Sequence, residues 1–592
     1  MLPLRYLLLF LALFGFLAIS AYGSDSSSEE TLENSSDDFQ VISGDDIDDL
    51  DTLLTTDSPL VFDSPDLAFE VLQQIDVFEP VDNSVFSKGN RYHKPKYGLV
   101  KDENYCVKHR KFFTENPEFI FTKQNFFTNY GHNSLVRGLS IPKVGDDLHP
   151  RIGDFMPSKY QESTSKYELK LDINMFFVQG GLHSYKQLGK NFGCITQTYN
   201  QVINRTALNS KDQVASAMVT YGKQYESRPQ CFNHDKFFPK TWVMEDAAQC
   251  REFFEIFNSE EYQQEKAKHT IVYIRKIGSG AHQAIGVQPV DEDEEKALRI
   301  TYRNGTLCGQ VFNKYIVQKY IHNALLLNGH KFDFRVYMVM GSSNPTILYY
   351  HDGFLRVSLH PYDVTSKDKS VLLTNTALST KIFDIAREQG NYQGLNETEL
   401  RNFQMWNLER LQTYLLDKGL ITDENWLDNY LRPEFKKAMI HLIRGVSGGF
   451  VKKSQLYELY GADFMLDEDL NLWFIECNSG PVLTGTSEAK EKFMLKMLAD
   501  QYEIAFGLLR SRVKRVINYV NEITRAGEVE RTSSGAVYIK DLAAKQQRFK
   551  EITMNNFEPE FEPSAGNGFS KIIDENYHGV DRYMGYISEE CL

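Results

Sequence analysis

The sequence predicts an α+β protein, and three patterns carry that prediction. Residues 331–357 alternate apolar and polar at period two, as half-buried strands do. Residues 463–478 place two apolar runs around a polar turn, the pattern of a β-hairpin with a longer loop. Residues 247–257, 383–445 and 487–522 instead repeat apolar positions at helical spacing. With 592 residues the chain has room for several structural units at about 150 residues each. Its 42% apolar and 24% charged residues exclude a wholly disordered, collagen-like or coiled-coil protein.

The net charge of −15 is unevenly spread. Between Ser24 and Ser87 there are 18 Asp and Glu residues and no Lys or Arg, so the remaining body is near neutral. The chain's pI near 5.5 argues against a nucleic-acid partner. Residues 1–23 carry one Arg, an apolar run from Tyr6 to Ile19, and small residues at Ala21 and Gly23. This reads as a secretory signal peptide, with an uncleaved signal anchor as the alternative, and predicts a lumenal or secreted protein. No later stretch is long and apolar enough to span a membrane. Sequons at Asn34, Asn204, Asn304 and Asn396 permit glycosylation. The seven cysteines form no C-x-x-C pair and show no disulfide framework, which leaves room for one or two bridges.

Residues 24–87 read as an acidic disordered tail. Within it, Ser64-Pro65-Asp66 resembles a helix start, and Leu67, Val71 and Ile75 follow at helical spacing. Residues 88–245 are mixed and aromatic-rich. Ala247–Phe257 reads as a helix and Ile271–Ile274 as a strand, followed by a Gly278-Ser279-Gly280-Ala281 loop. The acidic run at 291–295 reads as a solvated turn. A long helix is expected over 487–522, and the last 60 residues are polar with no clear period.

Three constellations carry chemistry. Folding the hairpin about 469–470 brings Asp463 opposite Glu476, and alternation puts Glu476 and Asn478 on one face. Two carboxylates and one amide oxygen suit a Mg²⁺ ion that also holds phosphate oxygens. A buried Glu between Ile475 and Cys477 is costly without such a partner. In Lys331-Phe332-Asp333-Phe334-Arg335 the three charged residues share one strand face, and Arg356 follows one strand later. Guanidinium forks suit phosphate and carboxylate. Leu373-Thr374-Asn375 adds a polar pair after an apolar run.

In this order, Gln318-Lys319-Tyr320-Ile321, Lys331 to Arg335, Asp352-Gly353, Leu373-Thr374-Asn375, Tyr460 to Asp463 and Glu476-Cys477-Asn478-Ser479-Gly480-Pro481 resemble the tubulin–tyrosine ligase-like family. The likeness covers roughly 170–500. It implies an ATP-grasp fold, in which two α/β subdomains clamp ATP, preceded by an N-terminal subdomain. The boundaries expected are 88–245, 246–330 and 331–522, with an extension at 523–592. It also implies ligation of a free amino acid (Glu, Gly or Tyr) to a carboxylate of an acidic protein, using ATP and Mg²⁺. The carboxylate would first take the γ-phosphoryl group, and the amine would then displace phosphate. By the same likeness Gln318, Lys319, Tyr320 and Ile321 would frame adenine, and Lys331 and Asp333 would contact nucleotide. Arg335 and Arg356 would face the γ-phosphate and acyl-phosphate, Asn375 would lie near the reacting groups, and Asp463, Glu476 and Asn478 would hold Mg²⁺.

One motif departs from the family. Where a Lys and a Ser/Arg/Gly-rich loop are usual, this chain has Arg275-Lys276-Ile277-Gly278-Ser279-Gly280-Ala281-His282. The best alignment puts Arg275 at the nucleotide-contacting Lys position, with Lys276 one step along on the opposite face. A nucleotide-binding protein of the same fold that has lost turnover is the alternative function. Tubulin would be the acceptor in the cytosol, and another acidic protein in the secretory route.

Overall fold

Helix α1, Pro65–Ile75, is the first helix among the described residues, with Ser64 in extended geometry before it and Pro65 and Asp66 in its first turn. This computed structural model describes residues 61–76, 98–99, 104–118, 126–128, 166–167, 171, 175–177, 194–278, 286–374, 403–481, 488–554 and 561–592. All of them fall within one unit, Ile42–Leu592. Helices α2 (Tyr105–Glu115) and α3 (Lys211–Gly222) precede the first of two antiparallel sheets that define the molecule.

The smaller sheet contains β1 (Thr241–Val243), β2 (Tyr273–Ile277), β3 (Val287–Pro289) and β4 (Tyr315–Lys319), in the order β1-β4-β2-β3. Three helices accompany it: α4 (Ala247–Phe257), α5 (Glu260–Lys268) and α6 (Glu292–Tyr302). The aromatics Trp242, Phe253, Phe257, Tyr262 and Tyr273 fill the layer between sheet and helices. Each of these helices starts on a side-chain cap, from Asp246, Ser259 and Asp291 respectively. The acidic run expected as a turn at 291–295 is therefore a capped helix start, where four carboxylates meet the positive end of the helix dipole.

Among the described residues the larger sheet has seven strands. They are β5 (Leu326–Leu327), β6 (His330–Ser343), β7 (Thr346–Pro361), β8 (Met405–Trp406), β9 (Glu458–Leu466), β10 (Leu472–Ser479) and a late strand from the C-terminal region. The main path is β8-β7-β6-β9-β10, and β5 pairs with β6. Period-two alternation divides β6 between two cores. Phe332, Phe334, Val336 and Met338 face α7 (Leu408–Asp417) and α8 (Arg432–Val446), where Phe334 meets Phe435 edge-on. On the other face Tyr337 and Val339 lie under Met494, Met497 and Ile504 of α9 (Glu488–Arg525).

Three expectations are corrected here. First, residues 61–76 of the tail are docked rather than disordered, and the helix expected there is present. Val71 and Leu72 of α1 are fully buried, in a core shared with Val513, Val516 and Val520 of α9 and with Phe549 and Ile552 of α10 (Leu542–Met554). Arg525 pairs with Asp63, and Arg531 with Glu70. Second, the unpatterned C-terminal region supplies β11 (Val529–Arg531), β12 (Val537–Ile539) and β13 (Phe569–Asp574). Strand β13 extends the large sheet along β7. Third, six of the seven cysteines pair, as Cys106–Cys194, Cys231–Cys591 and Cys250–Cys308, leaving Cys477 free and buried. The partners lie 88, 360 and 58 residues apart, so only the tertiary fold brings them together.

Candidate functional site

The site forms where the charged faces of the two sheets meet. Strand register builds most of it. Asp333 stands opposite Arg356, Arg335 opposite Asp463, and Asp463 opposite Glu476, so four adjacent strands present charge at one level. Gly461 faces Asn478 in the same ladder. Arg356 Nε donates to Asp333 Oδ1 at 2.5 Å, and its Nη2 reaches Asp463 Oδ2 at 2.9 Å. Arg335 donates to both oxygens of Asp463, from Nε to Oδ1 and from Nη2 to Oδ2 at 2.9 Å. Thr374 Oγ1 donates to the second Asp333 oxygen. Burial pushes the Asp333 carboxyl up, against the pull of Arg356.

Two glycines make this lattice sterically possible. A Cβ on Gly353 would lie 1.6 Å from the Arg335 carbonyl oxygen. One on Gly461 would lie 3.0 Å from Arg335 Cδ. Small residues therefore let β6 approach its neighbours and leave the Arg335 side chain its room.

At the hairpin end Glu476 accepts from Lys211 Nζ at 2.8 Å and from Asn478 Nδ2 at 3.1 Å. Burial pushes its carboxyl up, but Lys211, Asn478 and Lys276 outweigh that and hold it down at about 2. The Glu476 side chain remains 30% open to the cleft.

From the smaller sheet, Lys276 and Gln318 face the same space. Lys276 Nζ donates to Gln318 Oε1 at 2.6 Å, and Gln318 Nε2 donates to Thr241 Oγ1 at 2.8 Å. Tyr320 donates its hydroxyl hydrogen to the Leu372 carbonyl at 3.1 Å and accepts from Lys331 Nζ at 2.8 Å. The Lys331 ammonium also lies 4.4 Å from the Tyr320 ring centre. Burial lowers Lys276 to about 8, helped by Lys211, and lowers Lys331 to about 7 against the pull of Asp333.

The sequence expectations fare unevenly. Lys331, Asp333, Arg335, Arg356, Asp463, Glu476, Asn478, Gln318 and Tyr320 converge in the cleft. Lys319 does not: it points outward and pairs with Glu265 at 2.9 Å, with 44% of its side chain exposed. Ile321 is half-buried just after β4. Asn375 lies outside the described residues. Arg275, expected to contact nucleotide, is corrected. It sits on the far face of β2, paired with Glu294 and 4.4 Å from the Tyr315 ring centre. Adjacent strand residues face opposite ways, so Lys276 is the one that enters the cleft. Lys211 was missed and Lys276 was placed on the opposite face, while Thr374, named only within a polar pair, reaches Asp333. Ile274 shares the Lys276 face of β2 and packs on Leu372, a long-range contact that the sequence alone does not show. Nothing local marked Lys211, whose position depends on the packing of α3.

Sequence comparison places this arrangement among known proteins. The chain is 25% identical to Protein polyglycylase TTLL10 of Rattus norvegicus over 325 residues, 52% of this chain and 44% of that protein. It is 27% identical to Tubulin monoglycylase TTLL3 of Homo sapiens over 228 residues, 38% of this chain and 28% of that one. It is 24% identical to Inactive polyglycylase TTLL10 of Homo sapiens over 301 residues, 48% of this chain and 41% of that one. The chain thus spans less than half the length of these relatives. Relatives named for tubulin overturn the secretory address expected from residues 1–23, because tubulin is a cytosolic protein. Residues 1–23 lie outside the described residues, and no helix among the described residues is long and apolar enough to cross a membrane. A tubulin-tyrosine ligase family profile matches residues 188–510, which hold every cleft residue named above. The chain belongs to the tubulin-tyrosine ligase family.

Proposed function

We propose that this chain is an ATP-dependent ligase of the ATP-grasp type, which joins glycine to a carboxylate of an acidic, tubulin-like protein through an acyl-phosphate. One observation carries the reading: three carboxylates, Asp333, Asp463 and Glu476, and the Asn478 amide share a cleft with five basic side chains, Lys211, Lys276, Lys331, Arg335 and Arg356. Glycine is preferred over Glu and Tyr because the relatives are named as glycylases.

The cleft residues fit Mg-ATP by charge and donor chemistry. With Lys276 and Lys331 protonated, Asp333, Asp463 and Glu476 oppose five cations, a surplus of positive charge that suits a polyphosphate. Asp463, Glu476 and the Asn478 amide oxygen offer the hard oxygen donors that suit Mg²⁺, and the ion would share the Asp463 oxygens with Arg335 and Arg356. Mg²⁺ bound there would neutralise charge developing on the transferred phosphoryl group. Lys276 and Lys331 hold the nucleotide phosphates, and Gln318, Tyr320 and Ile321 frame the base. Arg335 and Arg356 orient the acceptor carboxylate and stabilise the negative charge that builds as its oxygen takes the γ-phosphoryl group. The glycine amine then attacks the acyl carbon, an amide bond forms, and phosphate leaves. Burial of the floor residues keeps water from the acyl-phosphate.

The test is transfer of radiolabelled glycine to tubulin in the presence of Mg-ATP. Label must appear with the wild-type chain and vanish with Glu476→Gln; label that persists in the variant refutes the site. A second reading, a nucleotide-binding protein without turnover, draws on the relative named inactive and on Ala281-His282 in place of Arg-Gly. Calorimetric binding of Mg-ATP without transfer of any amino acid would select it.

A further inference from the structure

Arg275 lies one residue from the cleft lysine and faces away from it, yet its side chain is mostly buried and paired. Its guanidinium forks onto Glu294, with Nε on Oε1 and Nη2 on Oε2 at 3.3 Å. Its other contact is the Tyr315 ring, 4.4 Å away. The Arg275 and Glu294 side chains are only 14% and 18% exposed, so solvent screens the pair weakly. Both partners are themselves fixed. Glu294 sits in the first turn of α6, where its backbone N–H donates to the capping Asp291 carboxylate at 3.0 Å. Tyr315 belongs to β4 and stands opposite Ile277 of β2.

The connectivity gives this clamp a purpose. Strand β2 leads into residues 278–286, and β3 returns alongside it, with Gln288 opposite Arg275. Strand β3 then enters the Asp291 cap and α6. Arg275 and Glu294 therefore join the entry and the exit of one β2–β3–α6 unit from the side opposite the cleft. A strand residue cannot turn without turning its neighbour to the other face. Whatever fixes Arg275 outward fixes Lys276 inward.

We propose that Arg275 is a positioning residue: its clamp to Glu294 and Tyr315 sets the roll of β2 and so holds Lys276 in the cleft. The proposal builds on the nucleotide-site reading above but concerns the lysine itself. It is tested on the full-length chain in two arms. The first measures acylation of Lys276 by an amine-reactive reagent, with mass spectrometry, in the absence of nucleotide. Lys276 is buried and bonded to Gln318, so labelling in the wild type is slow. Arg275→Ala should raise its labelling rate about tenfold, the scale of one lost charge-assisted bond. The paired reversal Arg275→Glu with Glu294→Arg should restore protection, as a coupled pair does. The second arm measures Mg-ATP affinity, which should weaken in Arg275→Ala and recover in the reversal.

Unchanged Lys276 labelling in Arg275→Ala overturns the proposal, whatever the affinity does. Faster labelling of every buried lysine, rather than of Lys276, also overturns it, because that marks general unfolding. A wild type that binds no Mg-ATP refutes the nucleotide reading, while the labelling arm still decides the clamp.

Discussion

At the residue scale the cleft is governed by how buried charges share partners. Glu476 is held ionised by Lys211, so Glu476→Gln should leave Lys211 without its counter-charge as well as removing a metal-ligand candidate. Glycine transfer should fall by about 100-fold or more, the scale of a lost electrostatic stabiliser. The two cleft lysines make a pH prediction with a definite sign. Burial lowers Lys331 to about 7 and Lys276 to about 8, so each gives up its proton as pH rises through that range. Bound phosphates would raise both values, and binding would take up protons. Mg-ATP affinity should therefore be greatest near pH 6.5 and decline through about pH 8, with proton uptake seen by calorimetry in buffers of different ionisation enthalpy. Affinity that rises with pH would contradict the charge reading.

At the scale of elements, close strand approach and helix docking dominate. Gly353→Ala would drive a Cβ into the Arg335 carbonyl, 1.6 Å away, so β6 and β7 must separate. We expect a loss above about 3 kcal/mol in denaturant unfolding, with transfer activity lost in any folded fraction, since Arg335 and Arg356 ride on these strands. Leu72 of α1 is fully buried against α9 and α10, far along the chain from the cleft-forming strands. Leu72→Ala should cost about 2–4 kcal/mol by cavity formation, with the Mg-ATP affinity of the folded protein unchanged. Helix periodicity around Leu67, Val71 and Ile75 was legible in the sequence, but its partner surface was not. That surface combines Phe113 of α2 with residues of α9 and α10 more than 400 positions later.

At the scale of the molecule, the family-matched span is enclosed by chain from outside it. Residues 61–76 and 526–554 complete one core, and Phe569–Asp574 adds an edge strand to the large sheet. The Cys231–Cys591 bond closes a span of 360 residues. Cys591→Ser should lower unfolding stability by about 2–4 kcal/mol, because the free C-terminal end regains conformational entropy; equal stability of the two proteins would deny the bond a structural role.

The sequence by itself determined the α+β class, the long helix, the Asp463–Glu476 hairpin register and the shared face of Lys331, Asp333 and Arg335. These follow from short-range periodicity and from pairing across a single turn, which local alternation encodes. Only the tertiary structure decided the rest. It paired six cysteines, brought Lys211 onto Glu476, and buried the apolar face of the 61–76 segment. It also turned Lys276 rather than Arg275 into the cleft. Those outcomes depend on which surfaces meet over long chain separations, and no local pattern carries that information. At Arg275 and Lys276 two adjacent basic residues satisfy alternation equally well, and the choice fell to Glu294 and Tyr315, partners from another helix and another strand.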